Sequence, residues 1–174
     1  MGMAGKRALA GMVLAAAAAA VTAQGFPARP VRVIVSYPPG GATDIMARSV
    51  ATRLSETWGQ PVIVDNRPGA NGMLGTEMVA RAAPDGHTAL GGGNTTHAAN
   101  PVLYRNVPYD PVKDFTEVAY VTGIQYLLAV GAGSPATSVK ELIALARATP
   151  GKLSYATGNA SSTTAAEMLK LATG

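Results

Sequence analysis

The sequence predicts an α/β protein whose strands form a parallel sheet. Two glycine-rich turns, residues 37–44 and 66–75, each lie between an apolar strand and an amphipathic helix. A third short strand at residues 87–90 runs into another glycine-rich segment, residues 91–96. Strands and helices that alternate in this way form βαβ units, in which parallel strands are joined by right-handed crossovers.

The first strand and the first helix flank the first glycine-rich turn. Residues 31–37 are rich in β-branched side chains and bounded by prolines, which predicts a buried strand. Residues 44–58 repeat apolar side chains at helical spacing, with Thr43 or Asp44 as the predicted N-cap and Gly59 as the stop signal. The predicted inward face of this helix consists of Ala47, Val50, Ala51, Leu54 and Trp58.

A second βα unit follows the same plan. Residues 61–65 are predicted to form a strand, and residues 84–86 end the helix that follows the second turn. The inward face of that helix is predicted to consist of Leu74, Met78, Val79 and Ala82. The third strand at residues 87–90 completes the three-strand core of the predicted sheet.

The second half of the chain has weaker signals of the same kind. Residues 116–130 predict two strands broken near Gly123, and residues 152–156 predict another strand. Helices are predicted at residues 138–148 and 161–171. The inward face of the first of these helices is predicted to be Val139, Leu142, Ile143 and Ala146.

The N-terminus has the three parts of a secretory signal peptide. Lys6 and Arg7 precede an apolar run at residues 8–21, and small residues lead to Ala23. We therefore expect residues 1–23 to be removed during export and the protein to be periplasmic. A buried alanine-rich helix is the alternative, whereas the run is too short for a membrane span.

Composition excludes several classes of function. The 174 residues include no cysteine, which excludes disulfides and thiolate chemistry. The net charge of +4 falls to +2 without Lys6 and Arg7, because residues 1–23 contain no acidic side chain. The remaining basic residues are scattered, so we expect no nucleic-acid partner.

Three loops at the predicted carboxyl edge of the strands are rich in glycine and hydroxyl residues: 40–43, 92–96 and 158–163. Ligands of open α/β sheets bind at this edge. The loops offer backbone N–H groups and the hydroxyls of Thr43, Thr95, Thr96, Ser161, Ser162 and Thr163. This uncharged donor set suits carboxylate or phosphate oxygens. Any one loop can also be a simple tight turn, but three on one edge favour a binding site.

Signals for an enzyme are weak. The sequence has no G-x-G-x-x-G after the first strand, no P-loop and no G-x-S-x-G elbow. Its two histidines, His87 and His97, are too few for a local metal site, so we expect neither metal nor cofactor. Asp44 is better explained as a helix cap than as a general base. A periplasmic α/β enzyme that acts on an anionic metabolite, with Asp44 or His97 as base, stays as the alternative.

Several motifs, taken together and in order, resemble one family. They are P-G-G-x-x-D-x-x-A-R at residues 39–48, V-x-N-R-P-G-A-x-G at residues 64–72, P-D-G-H-T at residues 84–88, and shorter matches at residues 100–104, 109–115, 141–143 and 150–153. The family is the Bug, or TctC-like, receptors of tripartite tricarboxylate transporters. The resemblance covers almost everything after residue 23, and the joint pattern is more specific than any single motif.

The resemblance implies a type II periplasmic-binding-protein fold of two α/β lobes with a ligand in the cleft. We expect lobe one at residues 24–124, nearly complete, and a partial lobe two at residues 125–174, with a hinge near Gly123. The resemblance implies a monomeric, non-enzymatic receptor for a small organic carboxylate, with membrane transporter subunits as partners. The implied ligand-binding residues are Tyr37, Gly40, Gly41, Ala42, Thr43, Asp44, Gly93, Asn94, Thr95, Thr96, Gly158, Asn159, Ser161, Ser162 and Thr163.

The chain departs from the family pattern in two ways. Ala160 replaces a glycine and Thr164 replaces the usual histidine of the lobe-two loop. Family members also continue well past the position of Gly174, which indicates either a fragment or a truncated gene. A truncated product that no longer binds is therefore a third hypothesis, and it predicts partly uncovered apolar faces on the last two helices.

Overall fold

The computed structural model describes residues 25–173, and a three-stranded parallel sheet lies at its centre. The strands are β1 (Val31–Val35), β2 (Val62–Asn66) and β3 (Thr88–Gly91), in the order β2-β1-β3. Both pairs are parallel, as predicted from the βαβ pattern. The predicted signal peptide lies outside the described residues. Within residues 25–173, no helix is both long and apolar enough to cross a membrane.

Helix α1 (Ala42–Trp58) joins β1 to β2 and packs along the sheet. In the central strand, Ile34 and Val35 have 1% and 0% of their surface exposed, and burial of such a side chain contributes about 1.5–3 kcal/mol. Ala51 of α1 is buried and the other apolar residues of its predicted inward face are half-buried. The predicted face of α1 is therefore confirmed.

The two ends of α1 differ in how well they were predicted. Gly59 ends the helix in a left-handed conformation with φ of 64°, and its N–H donates to the Ser55 carbonyl at 3.0 Å. The predicted N-cap at Thr43 or Asp44 is wrong, because Gly41 occupies that position. Asp44 lies inside the first turn instead, where its carboxylate accepts the N–H of Gly40 at 2.9 Å.

Helix α2 (Met73–Ala80) joins β2 to β3, and its predicted inward face is only partly confirmed, because Val79 and Ala82 are half-buried. Leu74 and Met78 are 52% and 42% exposed, whereas Gly75 and Thr76 are the buried residues of the helix. A Cβ at Gly75 would lie 2.8 Å from the Ser36 hydroxyl oxygen, so only glycine permits this close approach to β1. The helix therefore packs through small residues rather than through its large apolar side chains.

In the described chain after β3, helices of different lengths alternate with irregular segments. A π-helical segment (Thr95–Ala99) leads into α3 (Asn100–Leu103), and α4 (Val139–Ala148) and α5 (Ala160–Thr173) follow. The last two helices confirm the predicted helices at residues 138–148 and 161–171. The predicted face of α4 is only partly covered: Leu142 and Ile143 are half-buried, but Val139 and Ala146 are exposed.

The strands predicted at residues 116–130 and 152–156 do not form in the described structure. A β-branched run becomes a strand only when a neighbouring strand supplies hydrogen-bond partners. Within residues 25–173 the sheet consists of β1, β2 and β3 alone, and no strand lies beside either segment. Val118 and Leu127 are consequently each 92% exposed.

Candidate functional site

Asp44 is the centre of a hydrogen-bond cluster behind the loop that follows β1. One carboxylate oxygen accepts the Gly40 N–H at 2.9 Å and the Arg48 Nε–H at 3.1 Å. The other oxygen accepts the Asn66 amide at 2.9 Å and lies 3.0 Å from Arg48 Nη2. The same Asn66 amide also donates to the Tyr37 carbonyl at 3.2 Å. The carboxylate thereby joins the loop, helix α1 and the end of β2.

This cluster determines the protonation state of Asp44. The Arg48 guanidinium, together with the N–H of Gly40 and the amide of Asn66, lowers the pKa of Asp44 from 3.8 to about 2. A carboxylate with so low a pKa is a weak base at neutral pH. Asp44 therefore has a structural role, because both of its carboxylate oxygens are bonded to groups of the protein itself.

Thr95 and Thr96 lie in the loop after β3, and both are almost fully buried. The Thr96 hydroxyl donates to the Gly93 carbonyl at 3.0 Å, and the Tyr109 hydroxyl donates to the Thr96 carbonyl at 2.6 Å. His97 Nδ1 lies 2.9 Å from the Thr96 hydroxyl. Thr96 is thus a structural residue of this loop, whereas the Thr95 hydroxyl is not used within the loop.

His97 is held in place by its surroundings. Its ring packs edge-on against Phe115, with ring centroids 5.0 Å apart, and Phe115 packs in turn against Tyr109. Within residues 25–173, no group of three histidine or acidic side chains could hold a metal ion. Both findings make His97 part of the packing around Thr96.

Tyr37 follows β1 and is half-buried beside the same loop. Burial raises the pKa of its hydroxyl, and the neighbouring Thr95 offsets part of that rise. The phenol is therefore neutral at physiological pH, and it can donate one hydrogen bond and accept others. Tyr37 adds to the uncharged character of the loop edge.

The third predicted loop meets the second through Ser161. The hydroxyl of Ser161, in the first turn of α5, lies 2.9 Å from the Thr95 hydroxyl and donates to the Asn94 side-chain oxygen at 2.9 Å. These contacts connect residues that are 66 and 67 positions apart in the sequence. The structure therefore brings the loop after β3 and the start of α5 into direct contact.

The other predicted residues of the third loop are used locally. The Asn159 side-chain oxygen accepts the Ser162 N–H at 3.0 Å, and the hydroxyls of Ser162 and Thr163 donate to the Asn159 carbonyl at 2.9 and 3.1 Å. These bonds cap the start of α5. Gly158 is exposed, with open space around its α-carbon. Ser161 is thus the hydroxyl of this loop that faces the first half of the chain.

The hydrogen-bond donors of the loop after β1 are mainly backbone N–H groups. Gly41 and Ala42 are exposed at the start of α1, and Thr43 is half-buried near Gly91 of β3. The first N–H groups of a helix have no partner within the helix. The loop therefore presents unused donors on the same sheet edge as Thr95.

Sequence reasoning missed Asn71 and Asn100. Asn100 is fully buried and its side-chain amide donates to the Asn71 carbonyl at 3.0 Å. Asn71 and its neighbour Ala70 have φ of 55° and 48°, a left-handed conformation that costs about 1–2 kcal/mol for most residues. The signal was available, because Asn71-Gly72 is a dipeptide that tolerates positive φ.

Two grooves lie away from these loops. One, with a volume of about 570 Å³, lies between the end of β2 and the exposed face of α2, around Leu74 and Met78. The other lies along α4, around Leu145. Both are open and lined mainly by side chains that the sheet does not cover. The contact between the loop after β3 and the start of α5, on the edge where the loop after β1 also lies, makes the sheet edge the better candidate site.

Comparison with known proteins identifies related sequences and folds. A profile of the tripartite tricarboxylate transporter family receptor matches residues 46–174. A UPF0065 protein of Bordetella bronchiseptica is 43% identical over 152 residues, which are 84% of this chain and 45% of that protein. The chain spans about half the length of the curated relatives it matches.

Two solved structures are similar to this chain. One, described as a periplasmic transporter, is 37% identical with a TM-score of 0.77, and the match covers 86% of this chain and 51% of that one. The other is the Rhodopseudomonas palustris protein Rpa4515 with adipate, which is 41% identical with a TM-score of 0.72 over 74% of this chain and 43% of that one. The mixed α/β fold with a parallel sheet is therefore shared with a periplasmic transporter and with a protein whose structure contains adipate.

Proposed function

The chain belongs to the receptor family of the tripartite tricarboxylate transporters, and on that premise we propose that it binds a small organic carboxylate outside the cytoplasm. In this proposal it delivers the acid to the membrane subunits of such a transporter. It catalyses no reaction and uses no metal or cofactor. The similar structure with adipate supports a dicarboxylate as the ligand.

The observation that carries the proposal is the contact between the loop after β3 and the start of α5. Ser161 lies 2.9 Å from Thr95, so two loops from distant parts of the sequence share one small volume. The amides of Gly41 and Ala42 lie on the same sheet edge. We propose that the acid binds among these three loops, near Tyr37.

Uncharged donors can bind an acid without a cation. A carboxylate accepts several N–H and O–H bonds, and such charge-assisted bonds are stronger than those between neutral groups. Arg48, the nearest cation on α1, is already bonded to Asp44 and Asn66. Amides and hydroxyls also discriminate by geometry more than by net charge, which suits a receptor for one particular acid.

We further propose that residues 24–124 and 125–174 belong to two lobes joined near Gly123. The acid would lie between them, and lobe closure would be a hinge motion. Residues 104–138 contain no helix or strand in the described structure, which leaves this connection free to bend.

Calorimetric titration of the purified protein tests the binding proposal. The panel contains succinate, adipate, citrate, glutamate, benzoate and inorganic phosphate. We expect saturable heat with at least one carboxylate and none with phosphate. No heat with any acid in the panel contradicts the proposal, and heat with phosphate alone reassigns the site to a phosphate ligand.

Two variants of Gly41 locate the site. Gly41 has φ of −77°, and a Cβ there would have only an ordinary contact, 3.6 Å from the Pro38 carbonyl, so side chains fit. Gly41→Asp places a negative charge beside the bound acid and should abolish binding, whereas the uncharged Gly41→Asn should weaken it much less. Gly133→Asp, in open space, is the charge control. Equal affinity of Gly41→Asp and wild type for the acid would contradict the site assignment.

Export is tested separately. We infer that residues 1–23 are removed, so protein recovered from the periplasm of a bacterial host should begin at Gln24. An intact Met1 in the recovered protein, or retention in the cytoplasm, contradicts this inference.

The enzyme alternative has one specific test. Asp44 is saturated by Arg48, Asn66 and Gly40, which disfavours it as a base, and His97 is packed against Phe115. Chemical conversion of a bound acid by the wild type, lost in Asp44→Asn while the fold persists, would support an enzyme over a receptor.

A further inference from the structure

The turn Ala70–Gly72 touches both halves of the proposed site, although no residue of it was assigned there. On one side it packs against the loop after β3. A Cβ at Gly72 would lie 3.0 Å from the Thr96 methyl group, so the turn lies directly against that loop. A shift of this turn would therefore displace Thr96, the neighbour of Thr95.

Asn71 anchors the turn to α3. Its side-chain amide donates to the Asn100 side-chain oxygen at 3.2 Å, and the Asn100 amide donates back to the Asn71 carbonyl at 3.0 Å. Asn100 is fully buried. Two reciprocal bonds to a buried partner fix both the backbone and the carboxamide plane of Asn71.

The side-chain oxygen of Asn71 forms a hydrogen bond with the second half of the chain. Asn71 Oδ1 accepts the N–H of Ala160, the first residue of α5, at 3.2 Å across 89 positions of sequence. Ala160 is buried, and it is the residue immediately before Ser161. The carboxamide of Asn71 thus connects buried Asn100 to the start of the helix that carries Ser161.

We propose that Asn71 is a positioning residue that sets the distance between Ser161 and Thr95, and thereby the length of acid that the site accepts. The proposal rests on the carboxylate-receptor function above. Asn71 touches no ligand in this account. It acts through Ala160, whose position determines where the Ser161 hydroxyl lies relative to the loop after β3.

A purely structural role for Asn71 is the competing explanation, and two variants separate the two. Asn71→Gly removes the carboxamide but keeps a residue that adopts positive φ without strain. Asn71→Asp keeps an oxygen that can accept the Ala160 N–H. Asn106→Gly is the matched control, because Asn106 is an exposed asparagine outside any helix or strand.

The first readout needs no ligand. Hydrogen–deuterium exchange should be faster at residues 159–161 in Asn71→Gly than in the wild type, by about tenfold for the loss of one neutral hydrogen bond. Asn106→Gly should exchange there as slowly as the wild type. Asn71→Asp should lie between them, because it keeps an acceptor for the Ala160 N–H but loses the donor to Asn100. Unchanged exchange at residues 159–161 in Asn71→Gly overturns the proposal whatever the protein binds. Equally fast exchange in Asn71→Gly and Asn71→Asp also overturns it, because Asn71 would then only stabilise the fold.

The second readout is selectivity among straight-chain diacids. Affinities for succinate, glutarate and adipate give a length preference for the wild type, and Asn71→Gly should reduce that preference by about tenfold. Asn71→Asp should weaken all three acids but keep their ratios. A lower melting temperature with unchanged ratios in Asn71→Gly contradicts the positioning role. Failure of the wild type to bind any diacid contradicts the receptor function instead, and leaves the exchange result to decide on Asn71.

Discussion

At the scale of single residues, Asp44 shows how an acidic side chain beside a candidate site can be fully bonded within the fold. It has only 3% of its surface exposed, and both of its oxygens are bonded to Arg48 and to groups of Gly40 and Asn66. The sequence pattern placed Asp44 among the ligand-binding residues. In the structure, the Asp44 carboxylate instead connects α1 to the end of β2.

The low pKa of Asp44 predicts a defined response to acid. Because its pKa falls from 3.8 to about 2 on folding, its contribution to stability is present above pH 3.8 and is lost as the pH falls towards 2. Asp44→Asn should therefore unfold at lower urea concentration than the wild type at pH 7. The difference should shrink between pH 4 and pH 2, because the wild-type carboxyl then becomes neutral.

Urea titrations monitored by circular dichroism between pH 7 and pH 2 provide the measurement. Asp114→Asn, at an exposed aspartate outside this cluster, is the control. A difference between Asp44→Asn and wild type that stays constant over the whole pH range would show that charge at Asp44 is irrelevant to stability.

At the scale of elements, large apolar patterns were predicted more reliably than small-residue contacts. Strands β1, β2 and β3 and the α1 face were foreseen, because their burial follows from side-chain hydrophobicity and spacing. The face of α2 was foreseen only in part, because Gly75 and Thr76 pack on the end of β1 through close approach and a hydroxyl bond. Neither interaction appears in a hydrophobic periodicity.

The close packing of α2 predicts a sensitive position. In Gly75→Ala the new methyl group meets the Ser36 oxygen and the Arg67 carbonyl at 2.8 Å, so backbone must shift. Overpacking of this kind costs about 1–3 kcal/mol in the free energy of unfolding. Urea denaturation gives the value, with Gly131→Ala in open space as the control. Equal stability of the two variants would contradict the close approach.

Helix α4 depends on the bonds at its N-terminus. The Ser138 hydroxyl accepts the Glu141 N–H at 3.2 Å, and Glu141 accepts the Thr137 N–H at 2.7 Å. Ser138→Ala should destabilise the helix by about 1 kcal/mol, the usual effect of losing such a cap. Hydrogen exchange across residues 139–148 measures it. Ser49→Ala, at an exposed position within α1, should leave this exchange unchanged.

The candidate site was predictable in outline only. The loops after β1 and β3 and the start of α5 were singled out from glycine and hydroxyl content, and the structure brings Asn94, Thr95 and Ser161 together. A structural role for Asp44 was foreseen, but its bond to Asn66 and the bonds of Thr96 were not, because these hydrogen-bond partners depend on tertiary contacts. Asn71 was overlooked because a left-handed asparagine is ordinarily just a turn residue.

At the scale of the whole molecule, apolar surface is the dominant feature outside the sheet. Residues 117–130 are exposed and form no helix or strand, and Leu171 of α5 is 86% exposed. Exposed apolar chain that lacks strand partners favours association with other chains.

Self-association should therefore fall when this surface becomes polar. Val118→Ser combined with Leu127→Ser removes two side chains that are each 92% exposed and should reduce light scattering at equal protein concentration. Thr116→Ser with Thr122→Ser changes the same segment with little loss of apolar area. A wild-type chain that stays monomeric and unfolds cooperatively at high concentration would contradict the prediction.

The pairing of Ser161 with Thr95 has a consequence for the heat of recognition. An incoming acid takes over hydroxyl protons that already have acceptors, so hydrogen bonds are exchanged rather than added. Each exchanged bond becomes stronger, because a carboxylate replaces a neutral acceptor, and the loss of the Ser161–Thr95 bond offsets only part of the heat released. Because association is then exothermic, affinity for the acid should weaken as the temperature rises.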